Sequence, residues 1–167
     1  MSAAIAGLLY GWNKNIEYLP KLVGDLSEAQ MWAAIEPAGG EPANHPAWIL
    51  SHLNTYLPII AALVEDREFA DPREAPFGML SRPESRSGLY PPRDELVATY
   101  VAGHQQVDRL LRNADPSILE RPMRLPRWAP LMPQVGMALS YLMLYHEGLH
   151  LGQLSAWRRV QGLPRVA

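Results

Sequence analysis

Two proline-dense connections constrain this chain more than any other feature. Residues 67–91 carry Pro72, Pro76, Pro83 and Pro91, and residues 114–132 carry Pro116, Pro122, Pro126 and Pro130. Proline has no backbone N–H to give to a ladder, so neither segment reads as a regular strand. In the four segments outside them, apolar residues recur at helical spacing. The first runs from about 3 to 24, with Ile5, Leu8, Leu9, Trp12, Ile16, Leu19, Leu22 and Val23. The second, about 45–66, opens on Asn44-His45-Pro46, a cap region with a proline in the first turn. Pro58 lies inside this helix and is expected to kink it. The third covers about 92–113. The fourth covers about 133–161 and ends at Gly162-Leu163-Pro164, a C-cap glycine and a stop. The run Pro37-Ala38-Gly39-Gly40-Glu41-Pro42 reads as a turn. The expected fold class is all-α: a single four-helix bundle domain over 1–167. Its long connections point to crossovers rather than simple up-down-up-down topology. Connections this long are functional or packed tightly against the body.

Composition narrows the functions. The formal net charge of −2 gives no nucleic-acid footprint. Lys14 and Lys21 are the only lysines, and no basic run exceeds Arg158-Arg159, which argues against an electrostatic membrane anchor. No apolar stretch reads as reaching the roughly 18 residues of a membrane span, and the N-terminal apolar run lacks a basic lead, so the expected location is the cytoplasm. The chain has no cysteine. Disulfides, thiolate ligands and a cysteine nucleophile are thereby excluded, and a transition-metal site must use His, Asp or Glu.

The five histidines are therefore the residues to place. His146-Glu147-Gly148-Leu149-His150 matches the H-E-x-x-H pattern of zinc metalloproteases. At about 100° per residue, His146, His150 and Gln153 share one stripe with Leu139, Leu142 and Trp157. Gly148, Gly152 and Ser155 fall opposite, where small side chains would admit another backbone. His52 lies mid-stripe on the second helix among Trp48, Tyr56, Ile59 and Leu63. His45 is too far along that helix to share an ion with His52. His104, with Asp108 one turn on, reads as a supporting pair, a fourth ligand or simple core. Two histidines at i, i+4 and a third on another core stripe point to one divalent metal site. Three neutral imidazoles suit zinc, nickel, iron or copper and leave positions open.

A protease of this type takes its third ligand downstream. Here the residues after His150, LGQLSAWRRVQGLPRVA, hold no His, Asp, Glu or Cys. The third ligand must come from upstream, and His52 is the best candidate. Glu147 sits at the edge of the stripe, placed either to act as a catalytic base or to pair with an arginine. Tyr56 and Tyr145 are candidates to line the same pocket, with Trp48 as core or pocket wall. The arginines of the long connections are either ligands for an anionic cofactor or solvated surface.

Several stretches resemble one family. N-H-P-A-W-I-L-S-H-L at 44–53 and H-E-G-L-H-L-G-Q-L at 146–154 are similar to the second-helix and last-helix motifs of the DinB-like (YfiT-like) metalloprotein superfamily. D-L-S-E-A-Q-M-W and R-R-V-Q-G-L-P resemble it too, so the likeness spans essentially the whole chain. It implies a four-helix bundle of unusual connectivity, often a homodimer. It implies a metal held by His52, His146 and His150. It also implies a metal-dependent enzyme acting on a small-molecule substrate. Members include S-transferases and isomerases that use a low-molecular-weight thiol (bacillithiol, mycothiol or glutathione), and others are described as metal-dependent hydrolases. The family pattern asks for no glutamate at Glu147. Gln153 keeps the family glutamine and is expected either to orient a ligand histidine or to bond a nearby backbone. A hydrolase using metal-bound water and a non-catalytic metal-binding bundle are the alternatives.

Overall fold

The structure is a computed structural model that describes residues 1–35, 40–86 and 88–166. The turn expected at 37–42 falls partly on residues 37–39, which lie outside the described residues. Four long helical runs follow the apolar periodicity closely. They are α1 (Ala3–Val23), α3 (Pro46–Glu65), α4 (Arg93–Asn113) and a composite last helix. The last helix has three parts: α5 (Val135–Ser140), a π-helical turn (Tyr141–His146) and α6 (Glu147–Val160). A single short turn, α2 (Glu28–Met31), was not expected. It is held by a capping box in which Ser27 and Gln30 satisfy each other's backbone N–H. Among the described residues there is no strand, only one isolated bridge between Pro122 and Gln134.

The helices form a ring. α4 packs chiefly on α3 and α1, and the last helix packs on α1 and α3. The order around the bundle is therefore α1, α4, α3, last helix, while the chain order is α1, α3, α4, last helix. Only the α3-to-α4 connection joins ring neighbours, and the other two cross the bundle. These are the crossovers that the long connections announced. Gly103 makes a close contact between α4 and α3. A Cβ there would lie 2.6 Å from Leu57 Cδ1 and 2.9 Å from its Cβ. Its missing side chain is what lets α4 seat against α3.

The ends of the helices follow from local chemistry. His45 caps α3, its ring nitrogen accepting from the Trp48 N–H, with Pro46 in the first turn. At the other end Asp66 adopts a left-handed conformation at φ 58°. Arg121 donates to the Leu63 and Val64 carbonyls at 2.7 and 2.8 Å, satisfying acceptors the helix leaves open. Gly162 at φ 72° ends the last helix, as the glycine-then-proline signal foretold. α3 runs unbroken through Pro58, whose ring faces outward.

Contrary to the sequence reading, Pro46–Glu65 is long and apolar enough to pass for a membrane span, with a mean hydropathy of 1.5. Its apolarity has another cause. Of its most apolar window, 83% is buried inside the bundle, where a helix enclosed on several sides is apolar all round. Gly148 and Gly152 have nothing within 4 Å of a built Cβ, so no backbone among the described residues of this chain approaches them.

Candidate metal centre

His52 of α3 and His146 and His150 of the last helix converge at one end of the bundle. One ligand nitrogen from each lies within 4.8 Å of the others. The His52 and His146 Nε2 atoms are 3.0 Å apart. Two nitrogens each about 2.1 Å from one ion are separated by about 3.0–3.4 Å, so this spacing already fits a shared cation. Without one, the His146 Nε2–H tautomer donates to the His52 Nε2 lone pair at the same distance.

The outer nitrogens of His52 and His150 are occupied by the protein. His52 Nδ1 donates to the Phe77 carbonyl at 2.7 Å, so its Nε2 presents a lone pair inward. His150 Nδ1 donates to Gln153 Oε1 at 3.0 Å. The same oxygen accepts from Asn44 Nδ2 at 3.1 Å. The two motif stretches, N-H-P and H-x-x-Q, are thereby tied to each other across two helices. Such outer partners fix the tautomer and orientation of ligand imidazoles. Ring packing adds to this: Trp48 stacks on His52 with centroids 4.7 Å apart, and Tyr56 lies 4.8 Å from His146.

Burial makes the cluster neutral. It pushes His52 down to about 4 and His146 down to about 3, with neighbouring imidazoles adding to the effect, and it lowers His150 as well. These folded-state values lie below the ordinary value near 6.5. As pH falls through 6.5, the unfolded chain binds protons that the folded chain refuses. The metal-free protein is therefore expected to keep its full stability above about pH 6.5 and to lose it progressively toward pH 4 to 3. Denaturant unfolding of metal-free protein across that window checks this. A flat stability from pH 7 to 4 would contradict it.

The π-helical turn shapes the site in a way the ideal projection missed. At about 100° per residue, Tyr141 lies about 140° from His146, on the far side of the helix. In a π turn, residues five apart become neighbours. The Glu147 N–H bonds to the Leu142 carbonyl in that register. Tyr141 is accordingly swung to the histidine side, its ring 6.0 Å from that of His146. It lines the cleft and Tyr145 does not; Tyr145 is 62% exposed and packs on Tyr141. Nothing in the sequence marks the π turn, so Tyr141 had no signal.

The histidines open onto a cleft of about 500 Å³. The two long connections cover it, one bringing Met79 and the other Arg127, Trp128, Leu131 and Met132. Trp48 is both core and cleft wall, 6% exposed and lining the same space. Among the described residues, no Asp or Glu lines it. Most arginines of the connections have structural work. Arg121 and Arg124 pair with Asp66. Only Arg127 lines the cleft, and it is locked to Asp71 by two bonds of 2.7 and 2.5 Å. That guanidinium holds the Asp71 carboxyl down at about 2.

Glu147 is placed elsewhere. Its carboxylate is 3% exposed and accepts from the Tyr100 hydroxyl and from His104 Nε2, the latter at 2.9 Å. The other His104 nitrogen faces the Tyr100 carbonyl at 3.0 Å, and Trp12 stacks on the ring at 3.7 Å. His104 therefore pairs with Glu147 across the bundle diagonal and not with Asp108. Asp108 instead accepts from Arg112 and Asn13. His45 is also structural: its Nδ1 caps α3 and its Nε2 donates to the Glu84 carbonyl.

A model of the DinB superfamily matches residues 12–154, which include all three clustered histidines. No curated protein matches the chain. Helix-only architecture, crossover connectivity, the motif pair and the match over most of the chain agree, and the protein belongs to the DinB superfamily.

Proposed function

We propose that the protein is a metal-dependent enzyme that activates a low-molecular-weight thiol for S-transfer, with the ion held by His52, His146 and His150. The observation that carries the choice of thiol is the absence of a carboxylate among the described residues lining the cleft. Hydrolysis of the H-E-x-x-H type asks for a glutamate base beside the ion, and Glu147 is bonded to Tyr100 and His104 instead. A thiol asks for less, because a bound divalent ion of zinc or nickel type stabilises the thiolate directly.

The chain's own residues supply the rest. The Phe77 carbonyl and Gln153 hold two imidazoles in the tautomer that faces inward. Trp48, Tyr56 and Trp128 exclude water from one side of the cleft, which strengthens electrostatic interactions inside it. A thiol cofactor carries with it a reducing compartment such as the cytoplasm.

Conjugation of 1-chloro-2,4-dinitrobenzene with physiological thiols tests the reading. The expected result is a rate that depends on both thiol and metal, falling at least about tenfold on chelation and returning on reconstitution, the scale on which one positioned catalytic effect acts. A protein that holds metal but shows no thiol-dependent rate with any of them would remove it.

A further inference from the structure

The lining of the cleft specifies more than a metal and a thiol, provided that His52, His146 and His150 hold a divalent ion as proposed above. Three neutral imidazoles bring no negative charge to such an ion, and no acidic side chain lines the cleft among the described residues. The ion's excess charge then favours an anionic donor atom on whatever ligand completes its coordination.

The remainder of the cleft has the opposite character. Its walls are Trp48, Tyr56 and Trp128, and its mouth is formed by Met79, Leu131 and Tyr141. The mouth residues are 54%, 76% and 42% exposed. Large apolar side chains left in water around a concave site mark a place where apolar surface is covered by a ligand. A volume of about 500 Å³ suits a molecule of one or two rings rather than an extended peptide.

Among the described residues Arg127 is the one cation in the lining, and its charge is already balanced. Asp71 holds its Nε and Nη2 edge by two bonds, and its guanidinium lies 5.7 Å over the Trp128 ring. An anionic group on the ligand body would meet a guanidinium whose charge Asp71 offsets and would have to sit near that carboxylate. A cationic body would meet both the ion and Arg127.

We propose that this cleft binds a ligand with one anionic donor atom for the ion and an uncharged, apolar, ring-bearing body packed between the aromatic walls and the Met79–Leu131 mouth. Asp71 is the residue that enforces the neutrality, by balancing the charge of Arg127.

Cobalt(II)-reconstituted full-length protein tests this with probes that share a thiol and differ in the body. Benzyl mercaptan, mercaptosuccinate and glutathione are titrated, and the thiolate-to-cobalt absorption is read. Benzyl mercaptan is expected to bind at least about tenfold more tightly than either anionic thiol, the discrimination typical of unpaired charge against apolar fit. Asp71→Asn leaves the Arg127 charge unbalanced and is expected to tighten mercaptosuccinate about tenfold while moving benzyl mercaptan by less than about threefold. Leu131→Glu, at an exposed position, should weaken benzyl mercaptan at least about fivefold with the cobalt bands unchanged. Equal or tighter binding of the anionic thiols by the unmodified protein, with cobalt bound, overturns the proposal and leaves the metal reading intact. Failure to take up cobalt at all overturns the metal reading and the proposal with it.

Discussion

His52→Ala, His146→Ala and His150→Ala are each expected to purify without stoichiometric metal, while the unmodified protein carries one divalent ion per chain. Each variant removes one of the three nitrogens that meet within 4.8 Å. Outer partners of ligand histidines cost about 10–100-fold in affinity when lost, so removal of a ligand itself should exceed about 100-fold. Gln153→Ala supplies the graded control. It leaves all three imidazoles but removes the acceptor of His150 Nδ1 and the link to Asn44. Its affinity is expected to fall by about 10–100-fold, with metal still bound at saturating concentration. Metal analysis of the purified variants and competition with a chromophoric chelator measure both effects. If all three alanine variants retained a full complement of metal, the three-histidine centre would be wrong.

Glu147→Ala is expected to act through stability. The carboxylate is buried with Tyr100 and His104, both of which donate to it. Removing the acceptor leaves two buried donors, the Tyr100 hydroxyl and the His104 N–H, unsatisfied, at about 1–3 kcal/mol each. In a chain of this length that corresponds to a fall in Tm on the order of 10 °C. Glu147→Gln keeps the shape and one acceptor oxygen, so it should lose less and keep its metal. Thermal unfolding and metal content together separate two roles for this residue. A Glu147→Gln variant with unchanged stability and metal but abolished turnover would return Glu147 to catalysis. A destabilised variant with proportionate activity would assign it to the bundle interior.

The same residues show where sequence reasoning reaches and where it stops. Helix positions were legible because apolar spacing, Pro46 at one end and Gly162 at the other act within a few residues along the chain. The all-α class followed from prolines that deny strands their ladder. The histidine cluster was legible because His146 and His150 are i, i+4 on one helix and His52 lies on the core stripe of another. A family resemblance named the same three residues.

Three features had no such local origin. Glu147 lies at the stripe edge in projection, and its direction was set by Tyr100, His104 and Trp12 arriving from two other helices. Tyr141 reached the cleft because a π turn changed the helix phase, which depends on packing and leaves no mark in residue spacing. Arg127 was one of many arginines until Asp71, on a different connection, took its Nε and Nη2 edge. Helices, fold class and the histidine cluster could be read from the chain alone, because they rest on local periodicity and residue chemistry. Which charges are paired and which side chains face the site emerged with folding, because those depend on partners many residues distant in the chain.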